Sequence, residues 1–282
     1  MSKVKIGVQM STFWREIKKA DLYEILRQCK QIGYNCFEVS LVPMTPENVA
    51  TLQRAREELG IQIGAMSAHV IPLDKKEGEW VKKVDNLQEN FDKIVSDCRK
   101  VDCNLLRIGI MPAAHMGSYE DVVAFAKEAD MMAGRLKAEG IDMYYHTHHF
   151  EFGRYRGEQI LDIVRNNTEH VGFELDTHWI QRGGDNPVSV IRRCAGRVRL
   201  LHLKDYRINS HKCSVEGLDT DVIEFAELGE GNLPIKECIE AGIESGCDFF
   251  FVEQDECYDR TPLECLKISH DNLVAMGYGD CF

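Results

Sequence analysis

The chain is predicted to be an α/β protein, a single (β/α)8 TIM barrel over residues 1–282, and three observations predict it. Short apolar runs alternate with helical patterns from the first residues to the last. No composition break divides that alternation. Four residues able to bind a metal each stand at or just past the end of a separate run: Glu151 near the end of Tyr144–Phe152, Asp176 after Val171–Leu175, His202 after Val198–Leu201, and Glu253 after Asp248–Val252. Runs this short, rich in β-branched and aromatic residues, read as parallel strands buried on both faces. A charge left alone at a buried strand end is costly. Four such ends meet only if the strands share one rim, and a closed barrel provides it.

Strands are expected near 4–10, 35–41, 61–67, 104–110, 141–148, 171–176, 198–203 and 248–253. Helices are expected near 20–32, 46–59, 79–101, 118–139, 157–166, 187–195, 234–245 and 262–276. Leu22, Ile25, Leu26 and Cys29 form an apolar stripe at helical spacing. Ser118 is placed to cap the fourth helix, with Asp121 as a capping-box partner. Gly33, Gly60 and Gly140 follow the first, second and fourth helices, where a left-handed residue commonly ends a helix. No G-x-G-x-x-G opens the first helix, which argues against an open dinucleotide-binding sheet. The stretch from Asp205 to Asn232 is the longest without a regular pattern and reads as a lid or binding loop on the active face.

Composition narrows the function. The net charge of −12 opposes a non-specific grip on phosphate backbones and suits an enzyme with a small substrate. No run is long enough to cross a membrane, and the start of the chain lacks the pattern of a signal peptide. Eleven cysteines without a C-x-x-C pair read as reduced thiols in a cytoplasmic protein. No surface for self-association is legible in one chain, although long-loop barrels of this kind often form homo-oligomers.

Three carboxylates and one imidazole make a hard, oxygen-rich set. It favours Mn²⁺ or Mg²⁺, then Co²⁺, over a cysteine-ligated zinc. Four protein ligands leave two octahedral positions for an α-hydroxycarbonyl. The ion would then polarise the carbonyl and stabilise the enediolate left when a neighbouring proton departs. A carboxylate or imidazole within reach would act as base.

The segments HTHHFEF (146–152), FELDTHW (173–179), LLHLKDY (200–206), LGEGNLP (228–234) and FVEQDE (251–256) resemble, in order and spacing, the motifs of the sugar-phosphate isomerase/epimerase superfamily. Its barrels are xylose-isomerase-like, and it includes ketose 3-epimerases and inosose dehydratases. The resemblance implies a sugar substrate and a metal set of Glu151, Asp176, His202 and Glu253. One departure stands out: many members carry a glutamate where this chain has His146. In the branch with H-x-H followed by Glu-Phe, the later Glu151 is the expected ligand and His146 is freed to act as base. The opposite assignment, His146 as ligand, stays open.

Glu38, Glu151 and Glu253 join His146 as expected catalytic groups. Arg107, His148, His178, Lys204 and His69 are expected to bind substrate, and Phe13, Trp14 and Trp80 to stack on a sugar ring. Each has a plainer role open to it, such as a helix cap for Asp176 or a buried ion pair for Glu38. The leading expectation is isomerisation or epimerisation of a ketose or keto-sugar, and the alternative is a lyase or dehydratase starting from the same enediolate. A DNA-repair endonuclease on this barrel would need a basic rim, which the charge opposes. A non-catalytic sugar-binding barrel is the remaining alternative.

Overall fold

In the computed structural model, which describes residues 4–17, 20–73, 84–209 and 222–282, eight parallel strands close into a barrel. They are β1 (Lys5–Gln9), β2 (Cys36–Val39), β3 (Gln62–Ala68), β4 (Leu105–Ile108), β5 (Asp142–His146), β6 (Gly172–Asp176), β7 (Val198–Leu203) and β8 (Phe249–Val252). Each pairs with the strand before and after it, and β1 pairs with β8 to close the ring. The expected (β/α)8 barrel is therefore the fold.

Around the barrel run α1 (Leu22–Ile32), α2 (Pro46–Leu59), α3 (Leu87–Lys100), α4 (Tyr119–Ala138), α5 (Ile160–Asn166), α6 (Thr177–Arg182), α7 (Pro187–Arg193), α8 (Ile235–Glu244) and α9 (Pro262–Leu273). Their ends follow local chemistry. Ser118 accepts the Asp121 N–H, but the Asp121 carboxylate takes the Ser118 hydroxyl rather than its N–H, so no capping box closes there. A full capping box stands instead at Thr261 and Glu264, ahead of α9. Gly60 ends α2 at φ +65°, in the left-handed region.

Three expectations need correction. The helix expected from residue 79 begins at Leu87 among the described residues, because Asn86 is extended and caps it; residues 79–83 lie outside them, as does Trp80. The short α6 was not expected, since its six residues directly follow β6 and are too few to show a period. The Asp205–Asn232 stretch is not irregular throughout: Asp205–Ile208 and Ile223–Ala226 pair as an antiparallel ribbon.

Two register shifts shape the interior. Phe37 pairs with Ile63 but Glu38 with Ala65, leaving Gly64 as an extra residue on β3. A Cβ on Gly64 would lie 2.7 Å from Cys36 Sγ and 2.9 Å from the Phe251 ring, so a side chain there has no room. Phe173 pairs with Val198 but Glu174 with Leu200, leaving Arg199 as an extra residue on β7. Such an insertion re-aims the residues after it. Here it sets Leu200 beside Glu174 and His202 beside Asp176.

Candidate metal centre and active site

Period-two alternation sends Tyr144 and His146, Gly172, Glu174 and Asp176, Leu200 and His202, and Phe251 and Glu253 into the barrel. The lower interior is apolar, built from Cys36, Leu105, Tyr144, Leu200 and Phe251. Above it lies a polar layer. Arg107 Nε is 3.1 Å from Glu38 Oε1 and 2.9 Å from Glu174 Oε2. His202 Nε2 is 3.2 Å from both Glu38 Oε2 and Glu174 Oε1. Gln9 Nε2 donates to Glu38. Burial, then the Glu174 charge, push Glu38 up to about 8. Burial also opposes charge on Glu174, but His202, Glu38 and Arg107 outweigh it and lower its pKa, so the proton of this pair sits on Glu38.

At the carboxyl rim, ligand atoms of His146, Asp176, His202 and Glu253 all lie within 4.8 Å of one another, and all four residues are buried. Each leaves a buried atom without a hydrogen bond of sound geometry: His146 Nδ1, Asp176 Oδ2, His202 Nδ1 and Glu253 Oε2. Two carboxylates and two imidazoles buried this close together fit a cation, which would share the carboxylates with Lys204. The other Asp176 oxygen accepts the Trp179 N–H and caps α6, so the carboxylate is both cap and candidate ligand. Ser11 donates to the other Glu253 oxygen. Lys204 Nζ lies 2.8 Å from Glu253 Oε2, 2.9 Å from Asp255 Oδ2 and 3.4 Å from Asp176 Oδ2. Burial disfavours the Lys204 charge, but Asp176, Asp255 and Glu253 raise its pKa well above the usual value. Burial and then Glu253 push Asp176 up to about 6. Burial opposes charge on Glu253 as well, yet Lys204 and His202 hold it well below the usual carboxylate range. Burial pushes His146 far down, so its imidazole is neutral and has a lone pair to give a metal.

Beside this cluster opens a cleft of about 650 Å³, lined by Ser11, Trp14, Ser40, Ser67, His69, Arg107, His148, Glu253 and Asp255 among others. Arg107 Nη1 donates to Ser40 and Ser67 on its wall. Among the described residues, neither ring nitrogen of His69 has a hydrogen-bond partner, nor has His148 Nδ1. Burial, then the Arg107 charge, lower His69 to about 4 and His148 to about 3, leaving both neutral.

The expected residues divide accordingly. Asp176, His202 and Glu253 come together. Glu151 does not join them: it is fully buried, with Tyr145 Oη donating to Oε1 and the His148 N–H donating to Oε2 at 2.8 Å. Residues 150–152 turn as a short 3-10 helix that carries Glu151 back under the β5 strand end, and His146 takes the vacated corner of the cluster. Glu38, expected as an acid/base, lies beneath His202 and orients its ring instead of facing the cleft. Arg107, His69 and His148 line the cleft. His178 is packed among Trp179, Tyr206 and Phe225, with neither nitrogen hydrogen-bonded to a described residue. Trp14 lines the cleft, while Phe13 is in the core. Sequence reasoning missed Glu174, Gln9, Ser11 and Asp255. Glu174 had a signal, since it precedes Asp176 by two and must share its face.

The barrel superposes on a sugar phosphate isomerase/epimerase of Parabacteroides distasonis with a TM-score of 0.77, at 22% identity over 96% of this chain and 98% of that one. It also superposes on the IolI protein with a bound zinc atom, with a TM-score of 0.69 at 16% identity over 99% of each chain. In sequence it is similar to the rhizopine catabolism protein MocC of Rhizobium meliloti, 26% identical over 56% of this chain and 50% of the relative. The inosose dehydratase of Clostridium beijerinckii is 24% identical over 80% of this chain and 71% of the relative. The chain thus spans about half the length of MocC and more of the dehydratase. A family model described as a xylose isomerase-like TIM barrel matches residues 26–264, and the chain belongs to that family.

Proposed function

We propose that the chain is a metal-dependent carbon–oxygen lyase that removes a proton beside the carbonyl of a keto-sugar or inosose and eliminates a β-hydroxyl or β-alkoxyl group. The observation that carries this reading is the buried set His146, Asp176, His202 and Glu253, with ligand atoms that all lie within 4.8 Å of one another. These four would hold the ion. Two imidazoles with two carboxylates suit Mn²⁺ and Co²⁺, and suit Zn²⁺ better than the three-carboxylate set did. A divalent ion held there supplies a Lewis acid for the substrate carbonyl.

The chain's own groups do the rest. Glu253 lines the cleft as a carboxylate and would take the proton from carbon. Neutral His148, with a free Nδ1 on the same wall, is suited to bond the departing oxygen. Lys204, held charged by three carboxylates, keeps Glu253 and Asp176 in place. Arg107 and Glu38 brace His202 from below.

Isomerisation or epimerisation shares the first proton transfer and is the second reading. Epimerisation needs an acid/base on each face of one carbon. The β5 corner here holds an imidazole rather than a second carboxylate, and that asymmetry favours elimination, as does the similarity to an inosose dehydratase.

Metal analysis of the purified protein and of two variants tests the site. His202→Ala and His146→Asn should each lose the ion while remaining folded. Full occupancy in His202→Ala would sink the set. Incubation with an inosose, a 3-keto-glucoside and ketohexoses tests the reaction. Water loss or release of the glycosidic substituent is expected, and clean interconversion of ketohexoses would move the reading to an epimerase.

A further inference from the structure

The cleft beside the candidate metal set has two unlike halves. The metal set stands on one arc of the rim, at the ends of β5, β6, β7 and β8. From that arc, the described residues lining the cleft are His148, Glu253 and Asp255, all polar. The larger apolar lining comes from the opposite arc. Trp14 and Ile17 follow β1, Leu41 and Pro43 follow β2, Val84 lies between β3 and α3, and Ile110 follows β4. All six are partly or largely exposed, not buried in the core. A single sugar ring held at the metal would cover the polar arc and leave the apolar one in water.

We propose that the β1–β4 half of the cleft is a subsite for an aromatic substituent carried by the sugar. This rests on the lyase reading above, and within it the substrate is a keto-glycoside rather than a free inosose. The leaving group is then an alcohol that bears an aromatic ring. The base takes the proton from the carbon between the ketone and the anomeric carbon. The C–H electron pair becomes a carbon–carbon double bond and the anomeric C–O bond breaks. The departing oxygen takes a proton and leaves as the alcohol. No oxidant or reductant enters, because the ketone is already in the substrate.

The surroundings favour an aromatic occupant. Trp14 is 39% exposed, yet its ring is held in place. Its Nε1 donates to the Asp255 carbonyl at 3.3 Å, and Arg15 Cζ lies 4.6 Å from the ring centre. Arg15 is itself fixed by two 2.6 Å bonds to Glu256. An open, fixed indole gives an aromatic partner a large contact and a preferred geometry. Leu41 is held at φ +57°, backbone that residues other than glycine rarely adopt and that clusters at ligand clamps. The cleft of about 650 Å³ is in the range that encloses a drug-sized ligand, which is more than one sugar ring fills. On the β3 side His69, 5% exposed and with neither ring nitrogen hydrogen-bonded to a described residue, offers the sugar hydroxyls a neutral partner.

The test uses the full chain loaded with its metal. Phenethyl and ethyl 3-keto-glucosides are compared, since their leaving alcohols are of nearly equal acidity and differ in the aromatic ring alone. The phenethyl compound should show a kcat/KM higher by roughly tenfold or more, mainly through a lower KM. Trp14→Ala and Leu41→Asn should each shrink that preference. Asparagine tolerates left-handed backbone, so the second variant removes the apolar contact and keeps the fold. Calorimetry with the unoxidised phenethyl and ethyl β-glucosides reads the subsite without turnover, and the same preference is expected. That preference in binding, with neither keto-glucoside turned over, would remove the lyase reading and leave the subsite standing. Equal kcat/KM for the two compounds would overturn the subsite, as would equal or no binding where nothing turns over. A preference that survives both substitutions would overturn it as well.

Discussion

Replacing Asp205 with asparagine should cost more stability than any other isosteric change outside the metal site. Its carboxylate accepts four backbone N–H groups: Tyr206 at 2.8 Å and Leu233 at 3.0 Å on Oδ1, and Gly229 at 3.1 Å and Gly231 at 3.2 Å on Oδ2. It thereby folds the LGEGNLP segment against the start of the outer ribbon. The space admits nothing larger, since a Cβ on Gly231 would lie 2.2 Å from Asp205 Oδ1. Asparagine keeps one acceptor oxygen and turns an NH₂ toward two N–H donors. Two bonds to a charged acceptor are lost, at about 1.5 kcal/mol each or more. Burial raises the Asp205 pKa against the pull of those four N–H groups, so removing the charge returns part of that cost. The net loss is about 3 kcal/mol. An unfolding entropy of about 2.1 cal/mol/K per residue over 282 residues gives roughly 0.6 kcal/mol/K, hence a fall of about 5 °C in Tm. Calorimetry reads that shift, and hydrogen exchange at Gly229 and Gly231 reads its place. A fall below about 1 °C with unchanged exchange at both glycines would refute the account.

Glu151 and Arg107 give two more outcomes. Burial pushes Glu151 up to about 7 against its two donors, so the folded protein holds a proton that the unfolded chain releases above the usual value of 4.5. Stability from this group is therefore full below pH 4.5 and is lost as pH rises through 7, by roughly 3 kcal/mol. Glu151→Gln should flatten that slope in denaturant titrations at pH 5 and pH 8 and should keep the bound metal; loss of metal would restore Glu151 as a ligand. Arg107→Met strands Glu174 beside Glu38, both fully buried, and breaking such a pair costs about 3–5 kcal/mol. The loss should be largest near pH 8 and should shrink in acid, where Glu174 can take a proton. Equal melting temperatures at pH 8 would show that the cluster does not depend on Arg107.

The barrel was legible because each strand is a short apolar run and each helix has its own stripe, so the eightfold alternation survives errors at every boundary. Asp176, His202 and Glu253 were legible for the same reason, as charged residues where a strand must emerge. The place of Glu151 was not legible because sequence does not show how a chain turns after a strand: the 3-10 turn at 150–152 sets its carboxylate against Tyr145 Oη and the His148 N–H. Glu38 was legible as an inward carboxylate but not as a brace. Its depth depends on the extra residue at Gly64, which no periodic pattern announces.

Those two register shifts bear on the chemistry. Without Arg199 as an inserted residue, β7 would slip by one against β6, and every side chain beyond it would exchange faces. His202 would then leave the interior, and with it the contact between its Nε2 and the Glu38–Glu174 pair. That pair outweighs the burial that opposes charge on His202 and, with Glu253, raises its pKa well above the usual value. A ring tied at Nε2 to two carboxylates presents Nδ1, 2.9 Å from Glu253 Oε2, toward the rim. A second hydrogen bond of this kind sets the ring and strengthens the nitrogen facing a metal. The inner layer therefore orients the proposed ligand, and Arg107 holds that layer's charge in balance.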